Sequence, residues 1–150
     1  MLTEYLTFTL SHLNLGIPST GVLEINRNLD VTPVPGSSKS IKDLLNLRGQ
    51  IVPAIDMYQY LNIDRDDVNG ESVSVILSID GQLVCLLVDE VGDILPLDEN
   101  NFESIPNNLS DSAKKLILGG YKLSEKLLLI LDCMQIIPQA SRVQPLSLSN

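Results

Sequence analysis

The chain has 150 residues, and its 19 acidic and 10 basic side chains give a formal net charge of −9. That length supports one compact domain or two very small subdomains, and no apolar run approaches the roughly 18 residues of a membrane-spanning helix. Phosphate groups repel so acidic a chain, which disfavours nucleic acid and anionic lipid as partners.

Apolar residues recur with period two far more often than with period 3.6, which predicts short β-strands rather than helices. In chain order, the predicted strands are residues 5–10, 15–18, 50–56, 73–79, 82–88, 94–97, 116–123 and 126–131. Asp80-Gly81 separates the fourth strand from the fifth and is typical of a two-residue hairpin turn. The fifth strand is apolar without a break over residues 83–88, which predicts burial on both faces. We therefore expect an all-β protein with a few short helices.

A pattern repeats in the two halves of the chain: an apolar strand ends at an aspartate, and a short amphipathic segment follows. It occurs at residues 51–61 and again at 127–137, so Asp56 corresponds to Asp132 at an offset of 132 − 56 = 76 residues. An aspartate between a strand and a helix is expected to cap the helix with its carboxylate. The repeat predicts two small five- or six-stranded barrels side by side, with a groove between them where ligands and peptides commonly bind.

The predicted organisation is a single domain over residues 1–137 followed by a flexible tail at 138–150. The domain is divided into subdomains at roughly residues 10–65 and 70–137, with a hinge in the polar stretch 62–72. Either terminus could cross back to complete the other barrel, so the assignment of the terminal strands stays open.

Residue types that carry catalysis or bind metal ions are scarce. His12, the one histidine, lies in a predicted hairpin with no nucleophile signature beside it. Cys85 lies inside an apolar strand, Cys133 follows a predicted cap, and neither has a C-x-x-C partner. Two cysteines fit a reducing compartment, so we expect a cytoplasmic protein without direct membrane insertion. We predict no catalytic residue, no metal site and no cofactor, hence a binding protein rather than an enzyme.

Residues 46–56, with the sequence NLRGQIVPAID, resemble the signature N-L-R-G-x-[IV]-x-P-[VAI]-[IVL]-D of CheW-like proteins, the coupling scaffolds of bacterial chemotaxis. Further segments resemble family motifs in the same order, at residues 5–8 with 15–18, 22–25, 32–35, 86–91 and 129–132. The resemblance covers about residues 4–137. It implies two five-stranded SH3-like barrels, which agrees with the repeat found independently.

The resemblance also implies a function. It is that of a non-catalytic adaptor in two-component signal transduction, coupling the cytoplasmic tips of methyl-accepting chemoreceptors to the regulatory domain of the histidine kinase CheA. Such a protein is cytoplasmic and is recruited to membrane-bound receptor arrays. Alternatives left open are an adaptor of a non-chemotactic array, such as one for twitching motility, and a small-ligand sensor using a barrel cavity. An unrecognised hydrolase would have to depend on His12.

The candidate contact residues fall into two groups. Arg48, with Asn46 and Gly49, is the candidate for receptor binding, because a guanidinium exposed in a turn can bind a partner carboxylate with both branches. The equal alternative is that Arg48 bonds to a carboxylate of its own chain, and Asn46 is expected to shape the turn. Val22 and Glu24 match family positions for kinase binding, and on a regular strand they would project from one face. Core packing is an equal alternative for Val22.

Leu47 and Ile51 flank the same turn and could line the groove between the barrels. Both residues are large and aliphatic, and residues of this kind are most often buried. Ordinary core packing is therefore the favoured expectation for both.

Overall fold

The computed structural model describes residues 1–27, 31–33, 41–61, 63, 73–104 and 111–136. The predicted tail at 138–150 lies outside these residues, as does the predicted hinge at 62–72 except for residue 63. Statements about the fold therefore concern the described ranges.

Within those ranges the chain forms eleven strands and two short helices, with a further helical turn at 133–136. The strands are β1 (Leu2–Leu10), β2 (Leu13–Pro18), β3 (Val22–Arg27), β4 (Val31–Pro33), β5 (Ile41–Leu47), β6 (Gln50–Asp56), β7 (Val73–Ile79), β8 (Gln82–Val88), β9 (Glu90–Asp98), β10 (Ile117–Lys122) and β11 (Leu127–Leu131). The helices are α1 (Met57–Tyr60) and α2 (Asp111–Leu116), and 3-10 turns occupy Ser19–Gly21 and Glu99–Asn101.

The strands form two sheets of similar design. The first sheet has five strands in the order β10-β11-β2-β1-β9, and the second has six in the order β3-β7-β8-β6-β5-β4. In each sheet two antiparallel hairpins meet at one parallel contact, β11 beside β2 in the first sheet and β6 beside β8 in the second. The repeated strands of the sequence, β6 and β11, are those that make the parallel contacts. The all-β class with two β units is confirmed, with five and six strands.

The chain passes between the described strands of the two sheets at two places. β2 leads to β3 through Ser19–Gly21, and β8 leads to β9 through the single residue Asp89. The second sheet therefore comprises the strands of residues 22–88, and the first combines the two N-terminal strands with those from residue 90 onward. The sheets do not follow the expected boundary between 10–65 and 70–137. The reason is that β8 pairs in parallel with β6, which keeps the β7–β8 hairpin in the second sheet.

A shared core of buried apolar side chains lies between the two sheets. It includes Leu6 and Phe8 from β1, and Val75 and Leu86 from β7 and β8. Each sheet also surrounds a smaller barrel core on its other face. The first barrel core contains Tyr5, Tyr121, Leu128 and Ile130, and the second contains Val52, Ala54, Ile76 and Cys85. Both faces of β8 are consequently buried, as its unbroken apolar run predicts.

Backbone hydrogen bonds close the first sheet into a barrel. The Glu103 N–H donates to the Gly120 carbonyl at 2.8 Å, and the Gly120 N–H donates back at 3.0 Å. The neighbouring Phe102 ring meets the buried Tyr121 ring edge-on, with centroids 5.4 Å apart. A Cβ on Gly119 would lie 2.3 Å from the Glu103 carbonyl oxygen, so this approach requires a glycine.

The local signals of the sequence are matched by the structure at several points. Asp80 and Gly81 have φ values of 50° and 80°, as a type I′ hairpin turn requires. The Oδ1 atom of Asp56 accepts the N–H of Tyr58 at 3.0 Å, which confirms its capping role. The corresponding cap is Asp132, which accepts the Met134 N–H at 3.2 Å. Strands β3, β4 and β5 are absent from the predicted set, and register shifts in β3 and β5 interrupt their alternation.

Replacing Gly119 by alanine should destabilise the protein by about 1–3 kcal/mol, because the added methyl group overlaps the closing segment. Urea unfolding measures the loss. Gly21→Ala is the matched control, since its Cβ would lie 3.5 Å from the Ser78 carbonyl oxygen, an ordinary contact. Equal stability of the two variants would contradict the close approach at Gly119.

Candidate functional site

The receptor-binding candidates occupy the turn between β5 and β6. Arg48 and Gly49 are its central residues, with φ values of 51° and 83°, the pair of positive angles of a type I′ turn. The Asn46 side chain accepts the Gly49 N–H at 3.0 Å, so Asn46 shapes the turn. A left-handed conformation costs an arginine about 1 kcal/mol relative to glycine. The backbone conformation of this turn therefore makes an arginine at position 48 less favourable for folding than a glycine would be.

The kinase-binding candidates lie on β3, at the edge of the second sheet. Val22 pairs with Leu77 and Glu24 with Ile76, which are consecutive residues on opposite faces of β7. Leu23 is the extra residue of a β-bulge between them. Val22 therefore packs against the shared core, and Glu24 lies on the other face. The expectation that the two side chains project from one face is wrong.

One ion pair joins a candidate from each group. Arg48 Nη1 donates to Glu24 Oε2 at 2.6 Å, with the arginine side chain 74% exposed and the glutamate side chain 23%. Asn26 donates its side-chain amide to the other carboxylate oxygen of Glu24. β3 is separated from β6 by β7 and β8 in the sheet, so the pair bridges strands that are not neighbours. It ties the edge strand β3 to the turn between β5 and β6.

This contact is the intramolecular alternative that the sequence left open for Arg48. A partner carboxylate that reaches the guanidinium must share it with Glu24 or displace Glu24. A partner that binds the Glu24 carboxylate competes with Arg48 in the same way. The two groups of candidates are therefore physically linked.

The ion pair also changes the acidity of Glu24. Hydrogen bonds from Arg48 and then from Asn26 hold the pKa of the Glu24 carboxyl below its ordinary value of 4.5. The carboxylate is thus charged at neutral pH, and the pair is formed under those conditions.

Two exposed isoleucines extend the facing surfaces of the two sheets beyond the shared core. Ile94 pairs with the core residue Leu6, so it lies on the face of the first sheet that is directed at the second. Ile51 shares a face with the core residue Ile55 through the two-residue period of β6. Ile94 is nevertheless 53% exposed and Ile51 67%. We use the name inter-sheet groove for the exposed margins of these two facing surfaces, on which Ile51 and Ile94 lie.

The sequence analysis did not single out Ile94. It named Ile51 as a possible groove residue but favoured ordinary core packing, and that favoured expectation is wrong. Their periodicity correctly indicates the face on which they lie. Only the register against β1 and the extent of the shared core show that they are left uncovered.

The thiols and the histidine offer little to catalysis. Burial raises the pKa of the Cys85 and Cys133 thiols to about 11, so neither forms much thiolate at neutral pH. The exposed His12 has its Nδ1 3.3 Å from Ser11 Oγ. Over the described ranges, no three His, Cys, Asp or Glu side chains are grouped to hold a metal ion. No helix in the described part of the chain is long and apolar enough to cross a membrane.

An open cavity of about 290 Å³ lies at the junction of the two sheets, where β2 leads to β3. Pro18 and Thr20 line one side, Leu77 and Asp80 another, and Cys133 completes the wall. The sensor alternative placed its ligand inside a barrel. Buried side chains occupy both barrel cores, so the structure lends that alternative no support.

Two β-barrels that share a core, with an exposed ion pair between the edge strand β3 and the β5–β6 turn, define a two-barrel β protein. The family model of the CheW-like domain matches residues 4–141. The chain therefore belongs to the CheW-like family.

Individual relatives agree with this assignment. The chain is 30% identical over 136 residues to a chemotaxis protein CheW of Thermotoga maritima, covering 91% of this chain and 88% of the relative. It is 29% identical over 134 residues to the CheW of Klebsiella aerogenes, covering 89% and 81%. The crystal structure of the scaffolding protein TtCheW from Thermoanaerobacter tengcongensis matches with a TM-score of 0.78 and 28% identity, covering 88% of this chain and 90% of that one. Family and fold class are both confirmed.

Substitutions at Arg48 should separate the turn from the ion pair. Arg48→Ala loses the ion pair and keeps a side chain unsuited to the left-handed conformation, whereas Arg48→Asn loses the pair but suits a type I′ turn. Arg48→Asn should therefore be more stable than Arg48→Ala by about 1 kcal/mol in urea unfolding.

The control for the ion pair is a double-mutant cycle with Glu24→Gln. In that background Arg48→Ala should cost less stability than in the wild type, because the partner carboxylate is already absent. Equal costs in the two backgrounds would show that the pair makes no contribution to the fold.

The lowered pKa of Glu24 predicts a pH dependence of stability. Because the folded-state pKa lies below 4.5, the unfolded chain takes up the proton first as the pH falls. The stability that wild type has over Glu24→Gln is thus complete above pH 4.5 and is lost as the pH falls through the lowered value. Urea unfolding of both proteins from neutral pH to about pH 3 measures it. A difference that stays constant over this range would contradict the prediction.

Proposed function

We propose that this protein is a non-catalytic adaptor that couples chemoreceptor tips to the regulatory domain of the histidine kinase CheA, at membrane-bound receptor arrays. The observation that carries the proposal is that a chain of the CheW-like family carries exposed large apolar side chains on separate strands, Ile51 on β6, Ile94 on β9 and Leu23 in the bulge of β3. An adaptor needs two surfaces because it must hold both partners at once. The inter-sheet groove is one, and the edge of β3 is the other.

The inter-sheet groove suits a helical partner such as a receptor tip. Helix-in-groove contacts use aliphatic anchors surrounded by a polar rim. Ile51 and Ile94 supply exposed aliphatic side chains, and the charged Arg48 lies three residues before Ile51. Asn46 and Gly49 support this contact indirectly, because they hold the turn that presents the guanidinium.

The edge of β3 suits the kinase. Leu23 and Ile25 are 57% and 41% exposed on either side of Glu24. A strand at the edge of a sheet also offers backbone groups for pairing with a partner strand. Val22 packs against the shared core. Its role is to anchor the β-bulge that places the Glu24 side chain on the opposite face of β3.

The two surfaces predict two separable binding defects. Ile94→Asp should weaken binding of a receptor-tip fragment by about tenfold or more and spare the kinase regulatory domain, because a buried carboxylate is costly only in the groove. Leu23→Asp should weaken binding of the kinase regulatory domain by a similar factor and leave binding of the receptor-tip fragment unchanged. Calorimetric titration of both partners against both variants measures the effect.

The matched control is Leu118→Asp, an exposed leucine on β10 that belongs to neither surface. It should leave both affinities unchanged, and none of the three variants should unfold more readily than the wild type. If Ile94→Asp and Leu23→Asp each weakened binding of both partners, the two partners would share one surface. If neither variant weakened binding of either partner, the proposal would be wrong.

A further inference from the structure

The Arg48–Glu24 ion pair joins the two groups of candidate contact residues. Arg48 Nη1 donates to Glu24 Oε2 at 2.6 Å, with 74% of the arginine side chain and 23% of the glutamate side chain exposed. The guanidinium belongs to the turn between β5 and β6, and the carboxylate belongs to the edge strand β3. The pair therefore connects a residue of the proposed receptor contact to a residue on the proposed kinase surface.

Each member of the pair is held in place by a neighbour of its own. The Asn46 side chain accepts the Gly49 N–H at 3.0 Å and so maintains the turn that carries Arg48. On β3, the Asn26 side-chain amide donates to Glu24 Oε1, the oxygen that Arg48 does not use. Neither of these supports passes through the ion pair. Breaking the pair therefore leaves both charged groups close to their present positions.

The ion pair is also easily broken. Exposed ion pairs contribute little to stability, because water and salt solvate the separated charges almost as well. A carboxylate supplied by a partner can accept the same guanidinium N–H groups that Glu24 accepts. Two carboxylates beside one guanidinium repel each other, so each weakens the attachment of the other.

We propose that Glu24 is a built-in competitor for Arg48, and that the guanidinium exchanges Glu24 for a carboxylate of the receptor tip when the receptor binds. The exchange frees the Glu24 carboxylate for a basic side chain of the kinase regulatory domain. Binding of either partner therefore strengthens binding of the other by the same factor. The identity of the two partners rests on the proposed function.

An ion pair with a purely structural role has the opposite consequence. If the pair only held the β5–β6 turn against β3, its loss would weaken the binding of partners or leave it unchanged. Under competition, the loss of one member strengthens the binding of a partner at the other member. The sign of the change in affinity therefore separates the two roles.

The first test is calorimetric titration of the full chain with a receptor-tip fragment. Glu24→Gln removes the competing charge, so it should bind the fragment about two- to fivefold more tightly than wild type, the range that a weak exposed ion pair allows. Unchanged or weaker binding by Glu24→Gln would overturn the proposal.

Glu125→Gln is the matched control for this titration. It also removes one carboxylate, from the exposed turn between β10 and β11, and should bind the receptor fragment as wild type does. An equal gain in affinity in Glu125→Gln would trace the effect to net charge alone, and the competition would be ruled out.

The kinase regulatory domain provides the second test. Arg48→Gln leaves the Glu24 carboxylate without its arginine, so it should bind the regulatory domain about two- to fivefold more tightly than wild type. Lys126→Gln is the control, since it removes one positive charge from the exposed turn between β10 and β11 and should bind as wild type does. Unchanged or weaker kinase binding in Arg48→Gln, or an equal gain in Lys126→Gln, would contradict the release of Glu24.

Linkage between the two partners provides the third measurement. Wild type saturated with the receptor fragment should bind the regulatory domain about two- to fivefold more tightly than free wild type. This enhancement should disappear in Glu24→Gln and in Arg48→Gln, because one member of the exchange is missing. An enhancement that persists in both variants would arise elsewhere in the complex and would count against the proposal.

Failure of the proposed function and failure of the exchange can be distinguished. If wild type binds the partners but the variants do not change affinity as expected, the exchange alone is wrong. If wild type binds neither partner, the proposed function is wrong, and free acetate then serves as the carboxylate. The NMR signal of the Arg48 side chain should respond more strongly to sodium acetate than to sodium chloride at equal ionic strength, and more strongly still in Glu24→Gln. Equal responses to the two salts would overturn the exchange.

Discussion

The shared core between the two sheets is the constraint on which the rest of the structure depends. Each sheet curls around a small core of its own, but the largest cluster of buried side chains belongs to both sheets together. The chain crosses twice between its described strands, and each crossing supplies an edge strand, β3 or β9, to the sheet that it enters. The first barrel is consequently incomplete until the chain has returned from the second.

The long-range contacts of the two sheets differ in physical character. The first sheet is closed into a barrel by paired backbone hydrogen bonds beside a glycine. In the second sheet the edge strand β3 is tied to the β5–β6 turn by the Arg48–Glu24 side-chain pair, whose arginine is mostly exposed. Exposed ion pairs are weak and exchange readily with water and other charged groups. The candidate contact residues therefore take part in a contact that a partner can reach.

The sequence predicted those parts of the fold whose structure is determined by residues close together in the chain. The β7–β8 hairpin has the predicted boundaries, because an Asp-Gly turn fixes its register and burial on both faces of β8 fixes its composition. The bulged strand β3 was not predicted as a regular element, since an extra residue at Leu23 breaks the period and moves Val22 to the opposite face. The exposure of Ile94 depends on where the shared core ends. No pattern within one strand contains that information.

The candidate site was predictable only residue by residue. The turn at Arg48-Gly49 indicated Arg48 and the family resemblance indicated Glu24, and the alternative of an intramolecular bond was recognised for Arg48. The identity of its partner was not, because the two residues are 24 positions apart on strands that are not neighbours. They meet only because the second sheet curls, and the curl follows from packing around the second barrel core.

The position of Arg48 bears on why an arginine occurs there at all. A type I′ turn prefers asparagine or glycine at this position, so the backbone conformation works against an arginine. The ion pair with Glu24 opposes that cost, but exposure of the guanidinium to water keeps its contribution small. Neither the turn nor the contact with β3 therefore requires an arginine. What remains is the planar, permanently charged group that the turn exposes, and a partner carboxylate can bind it by sharing it with Glu24 or by displacing Glu24. The proposed receptor contact would give this arginine a role that the fold itself does not require.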